Sequence, residues 1–272
     1  MKIHCLNIGG AFIILLTIAS CSSQPVKDVS PDFQLYFEEY GVKGCFLLYD
    51  MKENLYKVYN SQRCEEGFLP ASTFKIIHAL IGLETGVIVN ENMVIRWDSI
   101  VRSVASWNKD QTLASAISNS AVPYFQEVAR RIGPERMIKM VDKLNYGQMD
   151  INPKTIDYFW LEGNSRITSW EQMNFLIYFY RDELPVNYLN IETVKELIIL
   201  KKNDKWVLSG KTGMVKEEGK NIGWFIGYLV ENRKAWLFVC NVESGPDNLE
   251  KCMESRSGIT QKVLQSMGLM KE

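Results

Sequence analysis

Between residues 205 and 243 the chain holds three strand-like runs in succession, "KWVLSGKTGMV", "NIGWFIGYLVE" and "KAWLFVCNVE". The polar turn "ENRK" joins the last two. Runs rich in β-branched and aromatic residues, bounded by short polar turns, read as strands. Near the N-terminus "GCFLLYD" and "LYKVYN" flank the turn "MKEN" and read as a hairpin. Strands at both ends with helices between them imply one antiparallel sheet assembled from N- and C-terminal segments.

The helical readings come from 3.6-residue spacing and end signals. They cover "PDFQLYFEEYG" (31–41), "STFKIIHALIGLETG" (72–86), "VPYFQEVARRIG" and "PERMIKMVDKLN". "TSWEQMNFLIYFYRDEL" opens with a Thr168-to-Glu171 capping box, and "IETVKELIILKK" (191–202) and "DNLEKCMESRSGITQKVLQSMG" follow. The expected class is α+β: a sheet flanked by helices, with an all-helical inserted subdomain at about 67–190 within one domain spanning 25–272. At 272 residues and 46% hydrophobic, the chain can bury such a core. A cleft between the two lobes is the expected place for a small-molecule site.

The N-terminus carries Lys2 and an apolar run, "AFIILLTIAS" (11–20), too short to span a membrane as a stable helix. It reads as an export signal of residues 1–20. The small residues before Cys21 also fit a bacterial lipobox, which would make Cys21 the acylated first residue of a membrane-anchored mature protein; an ordinary cleaved signal leaves Cys21 incidental. Either way the expected location is the periplasm. There Cys45 and Cys64, which flank the hairpin, can pair, whereas Cys240 in "AWLFVCNV" reads as a small buried hydrophobe.

A net charge of −1 offers no basic footprint for nucleic acid. Of two histidines, His4 lies in the signal, so the mature chain has His78 alone. That excludes a three-histidine zinc site and makes a base other than imidazole the expectation for any hydrolytic chemistry. No metal is expected.

"SGKT" at 209–212 has the look of a phosphate loop, but the pattern fails. Five residues before Gly210 stands Lys205 instead of glycine, and a turn and strand follow Thr212 where a helix is required. As a strand, Lys211, Thr212 and Gly213 offer a positive charge, a hydroxyl and an open backbone, which suits a small carboxylate-bearing substrate.

Such a wall needs a nucleophile, and two Ser-x-x-Lys matches occur. Ser106 and Lys109 lie in the polar segment "VASWNKDQT", where the lysine is solvated. Ser72 and Lys75 lie in "LPASTFKIIHAL", on one face at the start of a helix and surrounded by Phe74, Ile76 and Ile77. There the helix amides and dipole stabilise an oxyanion, and desolvation can lower the lysine pKa from about 10.4. Ser120 offers a second hydroxyl before another helix, and Trp160 in "FWLEG" a single N–H on an apolar body.

"PASTFKI", "IGLETGVI", "SAVP", "FWLEG" and "KTG", in this order, resemble the class D (oxacillinase-type) serine β-lactamases, and the likeness runs through most of the mature chain. The resemblance implies the β-lactamase/transpeptidase fold and hydrolysis of penicillin-type β-lactams through an acyl-enzyme on Ser72. It implies that Lys75 reacts with carbon dioxide to become N-carboxylysine, the general base, with no other cofactor, and that Trp160 holds this group. Ser120 relays protons with Lys211 as its electrostatic partner. The amides of Ser72 and Met214 form the oxyanion hole, Val122 an apolar wall, and Lys211, Thr212, Gly213 and Arg256 the carboxylate site. Tyr146-Gly147-Gln148 departs from the family's Tyr-Gly-Asn and is expected only to line the cleft. Related alternatives are a β-lactam sensor and a penicillin-binding D,D-peptidase, which acylate without efficient turnover.

Overall fold

The structure is a computed structural model that describes residues 26–271; the segment read as an export signal (1–20) and Cys21 lie outside the described residues. A first strand, β1 (Val26–Val29), leads through a 3-10 turn at Pro31–Phe33 into α1 (Gln34–Tyr40). Gly41 stops that helix at φ 59°, a left-handed conformation that glycine adopts without a Cβ penalty. The expected hairpin follows as β2 (Lys43–Asp50) and β3 (Leu55–Tyr59). Its turn is held by Asp50 Oδ1, which accepts from the amides of Lys52 and Glu53 at 2.9 and 3.0 Å.

After α2 (Ser61–Cys64) the chain turns helical: α3 (Lys75–Glu84), α4 (Leu113–Ser118), α5 (Val122–Ile132), α6 (Pro134–Lys143), α7 (Ser169–Tyr180) and α8 (Tyr188–Leu197). The capping box forms as expected, with Thr168 accepting from the Glu171 amide at 3.1 Å and Glu171 accepting in return at 2.7 Å. The chain then runs β4 (Ile199–Lys202), β5 (Trp206–Glu217), β6 (Lys220–Glu231), β7 (Lys234–Ser244) and α9 (Leu249–Ser266).

The strand order is β1-β3-β2-β7-β6-β5-β4, so β2 against β7 is the seam joining the two ends of the chain. It is antiparallel from Lys43 opposite Glu243 to Asp50 opposite Trp236. Both sheet faces are covered, which is why β2 and β7 are apolar throughout instead of alternating. Phe46, Leu48, Phe238, Cys240 and Val242 pack under α1 and α9, whereas Cys45, Leu47, Leu237 and Val239 pack under the helical block.

Three local expectations are corrected. The sheet is not wholly antiparallel, because β1 runs parallel to β3 at one edge. The reading of 191–202 as one helix fails at its end: "ILKK" pairs with β5 as β4, its ladder hydrogen bonds to a sheet edge replacing one more helical turn. The Cys45–Cys64 pairing that the hairpin left open does not form. Both are buried free thiols in contact, and Cys45 Sγ also lies 3.3 Å from Ser169 Oγ. Cys240 is buried in the sheet as expected. Among the described residues no helix is long and apolar enough to cross a membrane, and no cluster of ligating side chains could hold a metal.

Candidate active site

Leu69-Pro70-Ala71 brings the chain to a 3-10 turn, Ala71–Phe74, that carries Ser72 immediately before α3. The serine thus stands one tight turn ahead of the α-helix, not inside its first turn. Ala71 sits at φ 51°, a strained position for a residue with a Cβ. Surrounding bonds impose it: the Ala71 amide donates to Trp160 O at 2.9 Å, and the Thr73 hydroxyl donates to Pro70 O at 2.6 Å. From β6, Trp224 Nε1 donates to Leu69 O at 2.9 Å.

Lys75 is the first residue of α3 and has no solvent exposure. Its amine donates to Ser72 Oγ at 2.7 Å. Phe125 lies 5.6 Å from Nζ, and it belongs to an aromatic cluster in which His78 packs against Phe125, Phe74, Phe159 and Trp160. Burial, helped by the nearby charge of Lys211, pushes the Lys75 pKa well below its ordinary value. Trp160 Nε1 is buried without a hydrogen-bond partner. An unmade bond of this kind costs about 1–3 kcal/mol, so a buried donor in this aromatic cluster calls for an explanation.

The opposite wall is β5. A Cβ on Gly213 would approach Pro70 O, the Ala71 Cβ and the Ser72 amide to 3.2 Å each, so the strand lies directly on the serine turn because this residue is glycine. Lys211 is buried on the same strand and donates to Thr212 O at 3.1 Å. Burial, then the charge of Arg256, lowers its pKa to about 8. Arg256 reaches over from α9, donates through Nη1 to Gly213 O, and keeps a buried Nε without a partner. Thr212 and Met214 are half-buried on either side of Gly213.

The structure therefore gathers Ser72, Lys75, Trp160, Lys211, Gly213 and Arg256, with Thr212 and Met214 on the same strand. Ser120 precedes α5 at φ 51°, and Val122 opens that helix; α5 reaches the Lys75 cage through Phe125. Neither makes a side-chain hydrogen bond to the group. Lys109 of the second Ser-x-x-Lys match is exposed, as expected. The reading of Tyr146-Gly147-Gln148 as cleft lining is corrected: Tyr146 is fully buried, and Gln148 is exposed and pairs through its backbone with Arg166.

Sequence reasoning missed what Tyr146 does. Its hydroxyl donates to Gln172 Oε1 at 2.9 Å, and Gln172 Nε2 donates to the Thr73 hydroxyl at 3.0 Å. This chain ends on Pro70 O and so props the serine turn from behind. The available signal was Gln172, a polar residue on the apolar face of "EQMNFLIYFY".

Residues 22–265 match the family model of the penicillin-binding protein transpeptidase domain. The chain is 35% identical to β-lactamase OXA-5 of Pseudomonas aeruginosa, over 96% of this chain and 97% of that protein. The chain belongs to the class D β-lactamases. Among solved structures, FUS-1 (OXA-85), a class D β-lactamase from Fusobacterium nucleatum subsp. polymorphum, superposes with a TM-score of 0.83 at 35% identity, covering 90% of this chain and all (100%) of that one. The C-terminal domain of the Bacillus licheniformis BlaR penicillin receptor gives 0.83 at 31% identity, covering 90% and 98%. As a class D β-lactamase the chain is a serine enzyme of the family that hydrolyses β-lactams.

The prop behind the serine turn of this β-lactamase is testable. Tyr146→Phe removes one hydroxyl and leaves Gln172 Oε1 buried and unpaired, so it should cost about 1–3 kcal/mol in urea unfolding. An unchanged midpoint would show that the network bears no load.

Proposed function

We propose that this class D β-lactamase opens the β-lactam ring through an acyl-enzyme on Ser72, with Lys75 as the site of its general base. The observation that carries this reading is the 2.7 Å contact between Ser72 Oγ and a fully buried lysine amine whose pKa burial pushes well below its ordinary value. A neutral amine is nucleophilic toward carbon dioxide, and the buried, partnerless Trp160 N–H is a donor suited to a carbamate oxygen. When formed, N-carboxylysine supplies a carboxylate-like base that accepts the proton of Ser72 and later that of water.

The other roles follow from position. The Ser72 and Met214 amides stabilise the oxyanion where β5 meets the serine turn. Lys211, Thr212 and Arg256 hold the substrate carboxylate, with Gly213 leaving room for it and Arg256 offering forked donors. Ser120 passes a proton to the leaving ring nitrogen under the influence of Lys211, and Val122 forms part of the apolar wall. Export to the periplasm by residues 1–20, with Cys21 as a lipid anchor, places the enzyme where β-lactams arrive.

Likeness to the BlaR domain supports a second reading, a sensor that stays acylated. Turnover decides between them. Steady hydrolysis of a chromogenic β-lactam over many equivalents is expected, and a single stoichiometric burst would establish the sensor. Ser72→Ala should lower kcat by at least about 10³-fold, since the nucleophile has no substitute; Ser106→Ala should leave it unchanged.

Carbon dioxide-depleted buffer at low pH should depress activity, and added bicarbonate should restore it. Failure of bicarbonate to do so would leave the unmodified Lys75 amine as the base.

Lys211 gives a pH limb with a definite sign. Below pH about 8 it is charged in the free enzyme and attracts the substrate carboxylate; above that it is neutral. Because kcat/KM reports free-enzyme pKa values, it should fall as pH rises through about 8. Lys211→Arg, charged throughout, should lack that limb.

A further inference from the structure

The cage around Lys75 contains a titratable side chain that the proposed reaction leaves unused. His78 follows Lys75 by three residues on α3, so the two share a helix face. Its ring is fully buried, with Trp160 edge-on at 4.4 Å, Phe74 at 4.6 Å and Phe125 at 5.6 Å between centroids. The same Phe125 ring lies 5.6 Å from Lys75 Nζ, so imidazole and amine share a wall. Neither nitrogen of His78 has a hydrogen-bond partner, and neither does Trp160 Nε1 against which the ring packs. Burial pushes the imidazole pKa well below its ordinary value and so favours the neutral form, which carries one N–H and one lone pair. Packing alone does not account for a histidine here, because an apolar ring of that size would fill the space without burying two unpaired nitrogens.

We propose that His78 is a positioning residue of the base site: its N–H, beside that of Trp160, donates to the oxygens that Lys75 gains from carbon dioxide. The proposal rests on the reading of Lys75 given above. In that step the amine nitrogen bonds to the carbon of carbon dioxide, one C=O electron pair moves onto oxygen, and nitrogen releases one proton to solvent. The product is an anion on a fully buried side chain walled by Phe125, and a buried anion needs donors. Trp160 has one N–H to give. A neutral imidazole adds a second donor without adding a charge that would compete with Lys211 for the substrate carboxylate.

Carboxylation is read without substrate, by carbon-13 NMR of the full chain titrated with ¹³C-bicarbonate at fixed pH. His78→Phe keeps the ring and removes both nitrogens, and His78→Asn keeps a donor. The bicarbonate concentration giving half the carbamate signal should rise about tenfold or more in His78→Phe, the size of a lost hydrogen bond to an anion. In His78→Asn it should stay within about threefold of wild type, as a retained donor requires. Thermal unfolding verifies that each variant is folded, and His78→Leu replaces the phenyl variant if that one fails to fold. Unchanged half-saturation in the folded apolar variant, or equal weakening in His78→Asn, would overturn the role of His78 alone. A wild-type protein with no carbamate signal would overturn the reading of Lys75 and this proposal with it.

Discussion

A lysine amine held uncharged against Ser72 Oγ is the condition on which the site depends. Water would keep that amine protonated, and a protonated amine neither takes a proton nor attacks carbon dioxide. The chain removes water by placing Lys75 at the very start of α3, fully buried against Phe125 of an aromatic cluster that also holds Phe74, Phe159 and Trp160. Each ring comes from a segment that also does something else. Phe74 closes the serine turn, Phe125 belongs to the helix that begins just after Ser120, and the Trp160 carbonyl accepts from the Ala71 amide. The helical block is therefore the desolvating half of the site.

The sheet is the charged half. Because β2 and β7 join the two ends of the chain, β5 lies toward the far edge and meets the serine turn at Gly213. Thr73, Gln172 and Tyr146 brace that turn from behind while Trp224 ties its entry to β6. The strain at Ala71 is thus fixed by bonds from α7, β6 and the Trp160 segment, none of which is near it in sequence.

How much of this was legible follows from how local each signal is. The hairpin, the three C-terminal strands, the Thr168 capping box and the Ser72–Lys75 spacing rest on residues a few positions apart, and the sequence shows them. β4 was misread because "IILKK" continues the helical pattern of α8, and only the presence of β5 makes a strand the better state. The parallel pairing of β1 with β3 is a long-range event of the same kind. Tyr146 was set aside because its neighbour Gln148 departs from the family, yet its role depends on Gln172 and Thr73, which no spacing rule connects. His78 entered the sequence argument only as a base to be discounted. What the sequence could not show is that both its nitrogens are buried without partners beside the amine that does carry the chemistry.

Three cationic side chains with different burial resolve into three different states, and this ordering links the two halves of the site. Arg256 keeps its charge at any physiological pH, because a guanidinium does not deprotonate there. Its field and the strand's burial bring Lys211 down to about 8, so that Lys211 is mostly charged at neutral pH but close to release. The complete burial of Lys75, with the field of Lys211 added, pushes its pKa well below the ordinary range and favours loss of its proton. A carboxylate arriving between Arg256 and Lys211 would raise the Lys211 pKa and hold that lysine charged. Substrate recognition and base formation thus fall to two lysines in different surroundings, Lys211 on β5 beside Arg256 and Lys75 at the start of α3.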